Sequence, residues 1–123
     1  MYIYHYSNIN IKNKIEPEFF SANLYSKNDK NISNLARSFF FTSEYIPEYR
    51  FKNCQYKYII SINKARLYDL KIDKYNYKKK YKNISDLLRF LKNKYNGVIY
   101  NLGYEVVNLF IPIKYISKTI KGV

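Results

Sequence analysis

The 123-residue chain carries 22 Lys and Arg against 9 Asp and Glu, a formal net charge of +13, with one Cys and one His. That length makes one domain with one modest core. A lone Cys and a lone His exclude a disulfide framework or a Cys-based zinc site within the chain, and no apolar run approaches the ~20 residues that span a bilayer.

The N-terminus lacks the basic and apolar regions of a signal peptide. The expected setting is therefore the cytoplasm, that of a host cell included, with no membrane association. Two accounts of the charge stand side by side. A surface of this sign attracts polyanions such as nucleic acid or acidic protein faces. Lys, Asn, Ile and Tyr, all encoded by A/T-rich codons, also make up more than half of the chain, so base composition explains the balance equally well.

In chain order, Tyr2 to Tyr6 alternates in a β-favouring way and reads as a first strand. Ser7 to Ile15 is polar and Asn-rich, a turn with a short helix or an irregular loop. Ile15 to Asn34, with Pro17 and an aromatic pair at Phe19 and Phe20, reads mostly as loop, with a helical turn around Asn31 to Arg37. "SFFFT", Ser38 to Thr42, is a short apolar run between breakers and reads as a buried strand. "SEYIPEYRF" follows as a loop, because Pro47 disfavours helical geometry at Ile46. Gln55 to Ile62 is the clearest strand, and Ala65 to Leu70 is a shorter one.

The most basic stretch, "KIDKYNYKKKYKN", comes next, with Tyr75, Tyr77 and Tyr81 between its lysines. It reads as a solvated loop or a docking surface. Asn83 to Tyr95 places Leu87, Leu88, Leu91 and Tyr95 at helical spacing, with Asn83 or Ser85 as N-cap and Asn96-Gly97 as the stop. Val98 to Tyr100, a turn at Asn101-Leu102-Gly103, and Tyr104 to Phe110 form a hairpin. Ile111 to Ile116, containing Pro112, closes or edges the fold. Cys54 reads as a small buried or edge residue. Short strands that do not alternate regularly with helices favour an α+β fold.

Three blocks raise a functional reading: "HYS" at His5 to Ser7, "RSFFFTSEYIPEYRF" at Arg37 to Phe51, and "NGVIYNLGYEVVNLFIP" at Asn96 to Pro112. In this order they resemble an ADP-ribosyltransferase of the His-Tyr-Glu, diphtheria-toxin and poly(ADP-ribose) polymerase-like branch, and the whole chain can be laid on the pattern. The likeness implies two small, mainly antiparallel sheets forming a cleft, with one or a few short helices. It also implies NAD as the cofactor.

Cleaving nicotinamide from NAD leaves an oxocarbenium-like ribose, which a carboxylate stabilises. By resemblance that carboxylate is Glu105. His5 would hold the adenosine ribose, and Ser7 would bond the nicotinamide amide or support the loop. Thr42 belongs to the same cofactor-binding block. Phe40, Tyr45 and Tyr49 would stack the nicotinamide ring, and Arg37 would pair with the pyrophosphate.

Two departures stand out. The second-strand tyrosine of the branch is Phe40 here, and the position two before Glu105, a carboxylate or amide in arginine-modifying members, is Gly103. The resemblance extends to toxins and small phage effectors, anti-CRISPR proteins among them, and implies a protein target, acidic or nucleic-acid-associated. The alternative is a non-enzymatic basic protein that binds nucleic acid or acts as an inhibitor, with lysines on phosphates and tyrosines on bases. Each site residue also has a plainer role: His5 as a structural hydrogen-bonder, Glu105 as a solvent-facing residue on an alternating strand, and the aromatic run as core.

Overall fold

The computed structural model describes residues 1–16, 39–44, 53–101 and 103–120. The helical turn expected at Asn31 to Arg37 and the loop expected from Tyr45 onward lie outside them. The described elements are β1 (Tyr2–Ser7), β2 (Lys14–Ile15), β3 (Phe39–Phe41), β4 (Tyr56–Ser61), a 3-10 turn (Lys64–Arg66) and β5 (Leu67–Asp69), then α1 (Tyr77–Lys80), α2 (Ile84–Lys92), β6 (Gly97–Asn101), β7 (Glu105–Leu109), β8 (Ile113–Lys114) and β9 (Ser117–Ile120).

Seven strands form one sheet in the order β5-β6-β7-β3-β1-β4-β9, while β2 and β8 pair as a separate ribbon. Every pairing is antiparallel except β5 with β6. The fold is thus α+β and mainly antiparallel. The parallel exception has a local cause. A parallel neighbour needs a crossover connection, and residues 70–96, which contain both helices, supply it.

Alternation of side chains along each strand divides the core between the two faces of the sheet. On one face α2 lays Leu87, Leu88 and Leu91 over Tyr6, Phe41, Val98, Tyr100 and Val106. On the other, Ile3, Phe40, Tyr58, Ile60, Ile99, Val107 and Leu109 pack with Ile11 and Ile15, which come from the loop after β1 and from the ribbon. Strands β6 and β7 are covered on both faces, which is why they read as near-continuous apolar runs.

Asn83 caps α2: its side-chain oxygen accepts from the Asp86 N–H at 2.8 Å, and its amide donates to the Asp86 carboxylate at 3.0 Å. The helix ends at Asn93 rather than at Asn96-Gly97. Gly97 is already the first residue of β6, and a Cβ there would lie 2.4 Å from the Asn108 carbonyl oxygen. The glycine therefore permits close strand approach instead of stopping a helix. Gly103, at φ 84, makes the β6–β7 turn. The basic stretch contains α1, which no apolar period announces. The closing segment divides into β8 and β9. Among the described residues no helix is long and apolar enough to cross a membrane.

Candidate active site

The three sequence blocks that carry the resemblance contribute the adjacent strands β1, β3 and β7, the third block supplying β6 as well. Their register sets which side chains can meet. Tyr4 lies opposite Phe41, and Phe40 and Phe41 lie opposite Val107 and Val106. One row across the sheet therefore reads His5, Phe40, Val107, and the next reads Ile3, Thr42, Glu105. Residues opposite one another, or two apart on a strand, share a face. His5, Ser7, Phe40, Thr42 and Glu105 thus belong to the same face, the one opposite α2. Arg37, Tyr45 and Tyr49 lie outside the described residues.

His5 and Glu105 are two strands apart and one two-residue step out of line. At ~4.8 Å between strands and ~3.4 Å per residue, their Cα atoms are about 12 Å apart. That span rules out a direct imidazole–carboxylate bond.

Glu105 opens β7, with its side chain 39% exposed. The Lys71 ammonium donates to its carboxylate, and the Thr42 hydroxyl donates to it as well. Lys71 also lies 3.8 Å from the Asp69 carboxylate. The bonded lysine is the main reason the Glu105 carboxyl is held below its ordinary value. Burial pushes the other way, and Thr42 adds to the lowering. The same contact raises Lys71. Glu105 is therefore an ionised, hydrogen-bonded acceptor at neutral pH, and its partial exposure leaves it within reach of a ligand.

His5 is 6% exposed. Its ring packs against Phe40 at 5.5 Å and Tyr58 at 6.1 Å between centroids, which fixes its plane. Ser7 Oγ accepts from the Ile9 N–H at 2.9 Å. This bond turns the chain from β1 into the loop that follows. That loop crosses the β4 side of the face. The Tyr58 hydroxyl donates to the Ile9 carbonyl and accepts from the Ile11 N–H, both at 2.7 Å. Tyr115 donates to the Ile11 carbonyl at 2.8 Å, and Lys118 donates to the Asn10 side chain at 2.6 Å.

Sequence reasoning missed Lys71, Asp69 and Tyr58. Lys71 reaches Glu105 because β5 runs parallel beside β6, a pairing that no local pattern encodes. Tyr58 did carry a signal: in "QYKYIISI" it alternates with Lys57 and so falls on a single face. A second ionic cluster lies on the opposite face. There Lys57 pairs with Glu44, whose carboxyl is lowered mainly by that bond, and the ammonium sits 5.7 Å from the Tyr4 ring centre. No protein-family model, curated protein or solved structure matches this chain.

Proposed function

We propose that the chain is an NAD-dependent mono-ADP-ribosyltransferase acting on a macromolecular target, and that Glu105 is its catalytic carboxylate. The observation that carries this reading is the shared face. Residues 5, 7, 40, 42 and 105, chosen from sequence blocks up to a hundred positions apart, fall on one side of three adjacent strands. In this reading the cleft that the resemblance implies opens beside Thr42 and Glu105, since the ribbon and the loop after β1 pack directly on the rest of the face.

The face suits such a ligand in kind, with an ionised acid and a hydroxyl at one end and an imidazole on an aromatic bed at the other. NAD supplies the leaving nicotinamide. Glu105, kept ionised by Lys71, offsets positive charge that develops on the adjoining ribose. Thr42 orients the carboxylate. His5, buried and oriented by Phe40 and Tyr58, is the group this reading assigns to a ribose hydroxyl. Gly103 two residues before Glu105 removes the side chain that would steer an arginine acceptor. A protein target that is acidic or bound to nucleic acid fits the +13 charge. The cytoplasm of a host, reached by a phage or mobile-element effector such as an anti-CRISPR protein, is the setting this reading favours.

A second reading has its own support. The Lys71–Glu105–Thr42 contacts satisfy the carboxylate internally, as in a structural ion pair of a protein that only binds. NAD consumption by the pure protein, with cell lysate as acceptor, separates the two. The transferase reading expects turnover by the parent chain and a loss of at least a hundredfold in Glu105→Gln, in line with removal of a group that stabilises transition-state charge. Equal turnover in both proteins, or none in either, removes it.

A further inference from the structure

Residues 71–82 contain six lysines and one acid, Asp73. The structure uses two of these seven charges internally. Lys71 is bound to Glu105. Asp73 accepts from the Tyr68 hydroxyl, from the Tyr77 N–H at 3.0 Å and from the Lys78 N–H at 3.1 Å. Its carboxylate thereby fastens the segment to β5, with Asp73 and Asn76 taking left-handed backbone at φ 49 and φ 56 to make the bend.

The other five lysines, 74, 78, 79, 80 and 82, are all exposed. Among the described residues none lies within ion-pair distance of an acid. The neighbouring face of α2 adds exposed Lys92 and exposed Arg89, which lies 3.9 Å from the Asp86 carboxylate.

Aromatic rings run between these cations. Tyr75 is 55% exposed, stacks on Tyr68 at 20° between planes, and has the Lys74 ammonium 5.4 Å from its ring centre. Tyr81 stacks on Phe90 at 4.9 Å and 25°, and these two rings line a groove of about 360 Å³ together with Asp86, Arg89 and Asn93. A solvated loop has no need of a rigid bend and ordered, half-open rings between its charges. A helix of four residues such as α1 is too short to read a duplex groove. Lysines for phosphates and stacked rings for base faces are instead the means by which single strands are held.

We propose that the segment from Lys74 to Lys82, with the adjoining face of α2, is a docking surface for single-stranded nucleic acid. Lys78, Lys79 and Lys80 contact phosphates, and Tyr75 offers a base-stacking face. This docking does not depend on the NAD reading, and its test is a binding measurement.

The probe is a fluorescent dT20 oligonucleotide titrated with the full chain between 50 and 200 mM NaCl. Five or so phosphate contacts give a slope of log K against log salt of about −3.5, an affinity loss of about a hundredfold over that range. The variant K78Q/K79Q/K80Q should flatten the slope by about 2 units and weaken binding at 50 mM by tenfold or more. Tyr75→Ala should weaken binding by about fivefold or more and leave the slope unchanged, because stacking releases no counterions. A control variant K12Q/K14Q, on the opposite side of the sheet, should bind like the parent. Circular dichroism checks that each variant is folded.

Absence of binding, or a triple variant indistinguishable from the parent, overturns the proposal. So does loss in the triple variant with none in Tyr75→Ala, or equal competition by polyglutamate and by oligonucleotide. Those last two results describe a generic polyanion surface, such as one that meets acidic proteins.

Discussion

Replacing Tyr58 by phenylalanine removes one oxygen atom and tests how the loop after β1 is held over the face that carries His5. Tyr58 is fully buried. Its ring contacts with His5, Tyr56 and Tyr115, at 6.1, 6.4 and 5.0 Å between centroids, survive the change. What is lost is the pair of 2.7 Å hydrogen bonds to the Ile11 N–H and the Ile9 carbonyl. The Ile11 bond is buried, so its N–H is left without water, at a cost of about 1–3 kcal/mol. The Ile9 carbonyl is partly exposed and recovers most of its loss from solvent, adding less than about 1 kcal/mol.

Tyr58→Phe should therefore destabilise the protein by about 1–4 kcal/mol. For a chain of this length, 1 kcal/mol corresponds to about 4 °C, so the melting temperature should fall by about 4–16 °C. Urea unfolding gives the free energy, and hydrogen exchange at the Ile11 amide locates it. A loss below about 0.5 kcal/mol, with the Ile11 amide still protected, would refute the view that this hydroxyl pins the loop.

Gly97→Ala should cost about 1–3 kcal/mol or more, since the added carbon meets backbone oxygen 2.4 Å away and backbone cannot swing aside; chemical denaturation measures it, and a neutral result would mean that β6 and β7 are not so closely paired. Leu91→Ala, at a side chain with no exposure beneath α2, should cost about 2–5 kcal/mol in the same assay. Burial, aided by the bond to Asp73, pushes the Tyr68 phenol up to about 12 from 10.0. Because the folded value is the higher one, the stability it contributes is complete below pH 10.0 and drains away as the pH rises through about 12. Spectrophotometric phenolate titration should show a late-ionising tyrosine that is absent from Tyr68→Phe. The lowered Glu105 carboxyl behaves in the opposite sense: its contribution is present above the ordinary carboxylate value and lost as the pH falls through the folded one. Lys71→Met should change stability by less than about 1 kcal/mol, because the two side chains are 32% and 39% exposed and solvent screens the pair.

The features legible in the sequence were those with a local cause. Alternation at Tyr2 to Tyr6 and Gln55 to Ile62, the apolar "SFFFT" and the turn at Gly103 each produced the element expected within a residue or two, and the leucine spacing after Asn83 produced a helix that ends three residues short of Tyr95. Elements that owe their form to distant partners were not legible. The ribbon pairs Lys14 with Lys114, and two-residue strands carry no period. Strand β9 is mostly exposed and lies against β4 through backbone bonds and the Lys118 ammonium over the Tyr56 ring, so no hydrophobic pattern marks it. The basic stretch hides its order because what fastens it is a polar hub at Asp73 rather than a run of apolar residues. At the site, the sequence blocks named His5, Thr42 and Glu105, and strand register alone gives them a common face. Lys71 could not be named, since it reaches Glu105 across a parallel crossover.

The topology has a consequence for how the protein comes into being. The N-terminal strand is an interior member of the sheet, between β3 and β4, and the loop that follows it is held by Tyr115 and Lys118. Contacts that separated in sequence give a high contact order, which slows folding. Both sheet partners of β1, namely β3 and β4, are synthesised by residue 61, but the loop after β1 stays unpinned until Tyr115 and Lys118 follow. Until β9 (Ser117–Ile120) pairs with it, the other side of β4 is an open edge able to join other chains, so a nascent chain stalled short of residue 117 would be prone to aggregate.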